Sequence, residues 1–357
     1  LKEKFMSDVL RALIFVIAAL STLAGPGLAS GAERLAPYGA NLSDTSVSGL
    51  SSGAAMALQL HIAHSGIVKG AGIIAGVPYG CAERSLTRAT SNCMNPDAAH
   101  PAPDPAHLKD VTDALARTGA IDDVGNLNDA RVWLFSGRKD ETVFPVVMDA
   151  ARDYYAFYVP PDGIVYRNDI GAGHALVTED YGDKNCAATR APFIVDCDFD
   201  SAKALLEQIY GPLTPASTQP AGKYVEFDQR EFLPDGNAYV HSMSDIGYAY
   251  IPHICAMEPC RVHVALHGCK QQAAEIGDAF YKHAGYNRWA DTNRIIVVYP
   301  QTISRLGWGW PFYTLSFVWN PNACWDWWGY DSADYHTKKG PQIAAIRAMV
   351  DRLATKP

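Results

Sequence analysis

The sequence predicts an α/β fold with a mostly parallel central sheet flanked by helices. Two observations carry that prediction. Short apolar, β-branched runs alternate with longer helix-like runs, and no repeat or low-complexity tract interrupts the alternation. The 48% apolar content supplies a full core and excludes a mostly disordered chain. A net charge of −8 argues against nucleic acid as a partner, because such proteins usually carry a basic surface.

The first 32 residues read as a leader rather than as part of the fold. Lys2, Lys4 and Arg11 make a basic start, Ala12 to Ala24 is almost wholly apolar, and small residues follow to Ala32. That is the layout of a secretory signal peptide, with cleavage expected between Ala29 and Glu33. Its apolar run is well short of the ~20 residues a spanning helix needs, so no stable membrane anchor is expected after cleavage. The expected organisation is therefore a signal peptide at 1–32 and a single catalytic domain at 33–357, without a separate substrate-binding domain. Thr214–Gly222 is the nearest thing to a linker, and it reads as a surface loop. A monomer secreted to the periplasm or the medium is favoured.

Along that domain the strand candidates are Thr45–Ser48, Gly70–Ala75, Arg131–Gly137, Gly163–Arg167, Tyr224–Phe227, Tyr248–Ile251, Arg261–His267 and Arg294–Tyr299. The helix candidates are Gly53–His64, Pro105–Thr118, Pro145–Tyr158, Ser201–Tyr210, Ala274–Asn293 and Pro341–Ala354. Export makes the cysteines disulfide candidates: Cys81, Cys93, Cys186, Cys197, Cys255, Cys260, Cys269 and Cys324. Eight cysteines allow 105 pairings. Closeness along the chain favours 81–93, 186–197 and 255–260 and leaves 269–324, but sequence alone does not choose.

The first strand runs into Gly49-Leu50-Ser51-Ser52-Gly53, a G-x-S-x-G pentapeptide, and then into a helix that opens with small residues. Strand, tight turn and helix make a nucleophile elbow, with Ser51 as nucleophile and the Ser52 N–H aimed at an oxyanion. Ser48 and Ser52 are the wrong serines for the motif. A serine needs a base steadied by a carboxylate, and in hydrolases of this kind the acid and then the histidine follow in chain order. Asp140 follows the strand Arg131–Gly137. His174 follows in the Gly-rich loop Gly171-Ala172-Gly173. Glu141 and Asp169 remain alternative acids. The other histidines lack such a context.

The second oxyanion donor is expected from a loop after a strand that precedes the elbow. Here it comes late, in Arg261–His267 followed by Gly268 and Cys269. Joining the C-terminal helix to the first strand restores ordinary order, so the expected fold is a circularly permuted α/β-hydrolase. Its oxyanion donors are Ser52 and Cys269. His267 is expected to shape that loop, and His263 to be a packed or surface histidine. Asp196, Asp198, Asp200 and Glu207 match part of a calcium loop, but Ser201 stands where glycine is needed. No metal and no cofactor are expected.

GLSSG, GRKDETV, the GAGHA loop, LHGCKQ and CWDWWGY together resemble the polyhydroxybutyrate depolymerase family of α/β-hydrolases, in its single-domain, circularly permuted form. The resemblance implies a catalytic Ser51, Asp140 and His174. It also implies substrate contacts at Trp325, Trp327 and Trp328, and a short-chain polyhydroxyalkanoate polyester as substrate. Six of the eight tryptophans fall between Trp308 and Trp328, joined by Phe312, Tyr313, Phe317 and Tyr330. Such a cluster reads as a mixture of exposed binding surface and core. A feruloyl or acetylxylan-type carboxylesterase is the alternative on the same fold. A non-catalytic polyester-surface binder is the alternative of another class.

Overall fold

A computed structural model describes residues 32–308 and 317–357 of the chain. Residues 1–31 of the expected leader therefore lie outside the described residues. So do Trp310, Phe312, Tyr313 and the side chains of Trp308 and Phe317.

The strands in chain order are β1 (Thr45–Leu50), β2 (Val68–Ile74), β3 (Arg131–Phe135), β4 (Ile164–Arg167), β5 (Leu176–Thr178), β6 (Ile194–Asp196), β7 (Lys223–Asp228), β8 (Ile246–Ile251), β9 (Arg261–Leu266), β10 (Ile295–Tyr299), β11 (Arg305–Trp308) and β12 (Phe317–Asn320). Eight of them form one sheet in the order β4-β3-β2-β1-β9-β10-β8-β7. The first six of that order run parallel, and β8 and β7 add on antiparallel. All eight predicted strands are in this sheet. The two small pairs, β5 with β6 and β11 with β12, carry too few residues to show a period and were not predicted.

β1 sits at the centre and is buried along its whole length. Parallel strands covered on both faces usually read as apolar runs, but β1 (TSVSGL) buries its Thr45, Ser46 and Ser48 hydroxyls on hydrogen-bond partners. Helix α1 (Ser52–Ala63) follows it and is also buried throughout. Its sequence, SGAAMALQLHIA, has no polar stripe to turn towards water. The two outer helices that predict well have clear starts: α3 (Pro105–Arg117) has Asp104 accepting the Ala106 N–H, and α5 (Ser201–Tyr210) has Asp200 accepting the Lys203 N–H. The short α2 (Leu86–Thr90), which was not predicted, precedes them, and α4 (Pro145–Tyr155) lies between them.

One predicted helix is corrected. Ala274–Asn293 is three pieces: α6 (Ala273–Ile276), α7 (Ala279–His283) and α8 (Tyr286–Asn293). Gly277 and Gly285 separate them, at φ +63° and +90°. Those backbones are open to glycine at little cost and end a helix. The last helix, α9 (Pro341–Ala354), forms as predicted.

The permuted connectivity is plain in the sheet. β9, late in the chain, pairs directly with β1, so the loop after β9 lies beside the elbow. Residues 38–40 bond the last turn of α9: Tyr38 and Ala40 N–H donate to Leu353 O, and Gly39 N–H donates to Thr355 O. Those bonds close the join that the permutation requires. Three disulfides pair neighbours as chain closeness favoured, 81–93, 186–197 and 255–260, and the fourth joins the remaining cysteines, 269–324, across 55 residues. No described helix is long and apolar enough to cross a membrane.

Candidate active site

Ser51 stands between β1 and α1 at φ 57°, ψ −121°. A non-glycine residue held there is strained, and strain of this kind is kept only where the surroundings enforce it. Two glycines make the turn possible. A Cβ on Gly49 would lie 2.3 Å from the backbone of Gly53, and one on Gly53 would lie 2.3 Å from Leu266 O. The Ser51 N–H is occupied by Ile74 O at 2.9 Å. The N–H groups of Ser52 and Cys269 donate to no partner among the described residues.

The loop after β3 presents Asp140. One carboxylate oxygen accepts the Thr142 and Val143 N–H groups, both at 2.9 Å. The other accepts from His174 Nδ1 at 2.8 Å. Both side chains are buried. The His174 backbone N–H is fixed on Thr189 Oγ1 at 2.9 Å. With Nδ1–H on the carboxylate, Nε2 carries the lone pair and can accept a proton. Of the alternative acids, Glu141 is exposed and Asp169 pairs with Arg167 on the surface.

Ser51, Ser52, His174, Gly268 and Cys269 share one cavity of about 300 Å³. Leu50, Ala55, Val77, Met94, Val143 and Phe193 make much of its wall apolar, and Trp319, Trp327 and Trp328 complete the rim. Trp327 and Trp328 pack edge to face, their centroids 5.5 Å apart. Trp325 departs from expectation. It is fully buried, it does not line the cavity, and its Nε1–H donates to His267 O at 2.9 Å. It props the loop that faces Ser51 rather than bordering the cleft. Trp319, in contrast, is half exposed at the rim. Only its place in the aromatic cluster marked it in advance.

His267 shapes the loop from below. Burial pushes its pKa down to about 4, so it is neutral near pH 7. Nδ1–H donates to Gly268 O at 2.7 Å, and Nε2 accepts the Thr302 N–H at 3.2 Å. His263 is a packed residue, held between Ser46 Oγ and Ser48 Oγ. The Trp-rich segment turns around Asp326, whose carboxylate accepts the N–H groups of Gly329, Tyr330, Asp331 and Ser332. Burial, then the Asp331 charge, push the Asp326 pKa up to about 7 against those donors. The calcium-like segment is otherwise engaged: Asp196 pairs with Lys184, and Asp200 accepts from Arg288 and Trp289.

Sheet order, elbow and an acid-held histidine define the class: this is a circularly permuted α/β-hydrolase. No family model matches the chain. It is 44% identical over 343 residues to a poly(3-hydroxybutyrate) depolymerase of Delftia acidovorans, covering 94% of this chain and 65% of that protein. It is 34% identical to a polyhydroxybutyrate depolymerase of Talaromyces funiculosus, covering 91% of this chain and 93% of that one. Among solved structures it matches the PHB depolymerase from Penicillium funiculosum at 31% identity and TM-score 0.79. It also matches a PHB depolymerase complexed with R3HB trimer at 31% identity and TM-score 0.80. Both matches cover 90% of this chain and 98% of the other. The chain belongs to the polyhydroxybutyrate depolymerase family. It spans about two thirds of the length of the Delftia relative.

Proposed function

We propose that this chain is a secreted serine esterase that hydrolyses poly(3-hydroxybutyrate) and related short-chain polyhydroxyalkanoates. The observation that carries the reading is the one cavity lined together by Ser51, the Asp140-held His174, Ser52 and Cys269. Its largely apolar wall suits an aliphatic polyester better than a polar glycan ester. The leader and the four disulfides support export to an oxidising compartment.

In the proposed reaction His174 Nε2 takes the Ser51 hydroxyl proton as Oγ attacks the ester carbonyl. The Ser52 and Cys269 N–H groups hold the resulting oxyanion. Collapse breaks the ester C–O bond, and His174 returns the proton to the leaving alkoxide. A water molecule, deprotonated by His174, then attacks the 3-hydroxyacyl ester on Ser51; as the acyl C–O bond breaks, His174 returns the proton to Ser51 Oγ and the acid leaves. Asp140 keeps the imidazole in the right tautomer and stabilises its charged form.

The test is Ser51→Ala, assayed on p-nitrophenyl butyrate and on a poly(3-hydroxybutyrate) suspension. Turnover is expected to fall on the order of 10⁵–10⁶-fold on both. Clearing that survives the substitution rules the nucleophile out. A wild-type chain that cleaves feruloylated or acetylated sugar esters faster than 3-hydroxybutyrate oligomers rules the substrate out.

A further inference from the structure

We propose that Gln271 is a positioning residue that sets the oxyanion loop against the loop carrying the base. This rests on the reading of Cys269 and Ser52 as oxyanion donors. Gln271 is 1% exposed, and it lies two residues beyond Cys269. Its Oε1 accepts the Gly268 N–H at 2.7 Å. Its Nε2–H₂ donates to Pro192 O at 2.9 Å and to Phe193 O at 3.1 Å. Every polar atom of the amide has a partner, and the reverse orientation would set NH₂ against N–H and oxygen against two carbonyls.

The first bond acts on the direction of the Cys269 N–H. The Gly268–Cys269 peptide is planar, so its C=O and N–H point opposite ways. His267 Nδ1–H holds that C=O from one side. Gln271 holds the N–H of the peptide before it. Gly268 is thus clamped at both ends, and it has no slack towards the nucleophile: a Cβ there would meet Leu50 O at 3.2 Å and Ser51 Cβ at 3.4 Å.

The other two bonds tie the loop to the 189–193 segment, which forms part of the cavity wall. Phe193 lines the cavity there. Thr189, four residues before it, accepts the His174 backbone N–H. The Cys186–Cys197 disulfide closes this segment. One buried amide therefore spans the support of the oxyanion donor and the support of the base. These two must keep register within a fraction of an ångström as the carbonyl carbon becomes tetrahedral, since a ~1 Å misplacement can cost ~10²-fold.

Two variants test this. Gln271→Leu removes all three bonds. Gln271→Glu keeps the Gly268 tie and turns the other two into oxygen–oxygen contacts. Each is assayed on p-nitrophenyl butyrate with active sites counted by fluorophosphonate titration, and each is tested for binding of an alkyl trifluoromethyl ketone, which forms an oxyanion on serine. Per titrated site, kcat is expected to fall about ten- to a hundredfold with KM within about threefold. Affinity for the ketone should fall in parallel with kcat/KM. Gln271→Glu should recover towards acid pH, where the neutral carboxylic acid regains one donor. A kcat within threefold of wild type in both variants overturns the proposal, as does a change confined to KM or one that disappears on titration. Failure of the underlying esterase reading shows separately: the wild-type chain would then neither react with the fluorophosphonate nor turn over the ester.

Discussion

Ser51 and Asp140 are placed from close by, and the Cys269 loop from far away. Ser51 is set by the flanking glycines of its own pentapeptide, and Asp140 by N–H groups two and three residues on. The oxyanion loop is tied by the Cys269–Cys324 disulfide, by Trp325 on His267 O, by Thr302 on His267 Nε2 and by Gln271 on Pro192 O, across 35 to 79 residues of chain. Chemistry that demands a special backbone can be written into five consecutive residues. Chemistry that needs only an ordinary N–H at a particular point in space must be positioned by the rest of the fold.

After Ser51→Ala, the largest expected effect comes from changing Asp140, which is placed by its near neighbours in sequence. In Asp140→Asn the remaining Oδ1 can still accept from Thr142 and Val143, but the amide presents N–H₂ to His174 Nδ1 and favours the wrong tautomer. Turnover on p-nitrophenyl butyrate is expected to drop about 10⁴-fold, with the melting temperature nearly unchanged. A drop below tenfold would show that another carboxylate steadies the base.

Gly53→Ala probes the seam between the two walls. The added Cβ meets Leu266 O and His267 O at 2.3 and 2.4 Å, so α1 must move off β9. Overpacking of this kind costs about 1–3 kcal/mol. Both the denaturant midpoint and kcat are expected to fall, because the helix start and the oxyanion strand separate together. Wild-type stability in this variant would mean that the seam has slack.

The smallest effect concerns the far-tied wall. His241 Nδ1 pairs with Asp331 at 2.9 Å, in the segment that turns around Asp326. Burial lowers the His241 pKa, but the bond and charge of Asp331, with Asp235, outweigh it and raise it above 6.5. A raised histidine stabilises fully below about pH 6.5, where it is charged folded and unfolded, and that contribution fades as pH rises through the folded pKa. His61, His64, His263, His267 and His336 are pushed down by burial and act in the opposite sense. The comparison is therefore between wild type and His241→Gln. The melting-temperature gap should be widest at pH 5.5–6.5 and narrow above it, by a few degrees at most. A gap that is flat with pH would leave His241 without an electrostatic part.

Much of the fold was legible because burial writes a pattern. Inner strands such as β3 and β10 are short apolar runs, and the elbow needs small residues on both sides of the serine. The late strand ending in His-Gly-Cys betrayed the permutation, since a donor loop must lie beside the elbow wherever the chain supplies it. Sequence overran the helix at 274–293, where two glycines at positive φ interrupt an otherwise helical composition. It also set Trp325 beside Trp327 and Trp328, because adjacent tryptophans look alike until packing turns one inward.

By itself, then, the sequence pointed to the eight strands of the main sheet, most of the helices, their order, and Ser51, Asp140 and His174 as the candidate triad. These are local properties, written in periodicity, residue size and chain order. Only the tertiary structure decided which aromatic rings face the cavity and which amide spans the site. Gln271 sits two residues from a predicted donor, yet nothing in LHGCKQ announces it. Its role depends on carbonyls 78 and 79 residues away, and that proximity exists only once β9 has packed beside β1.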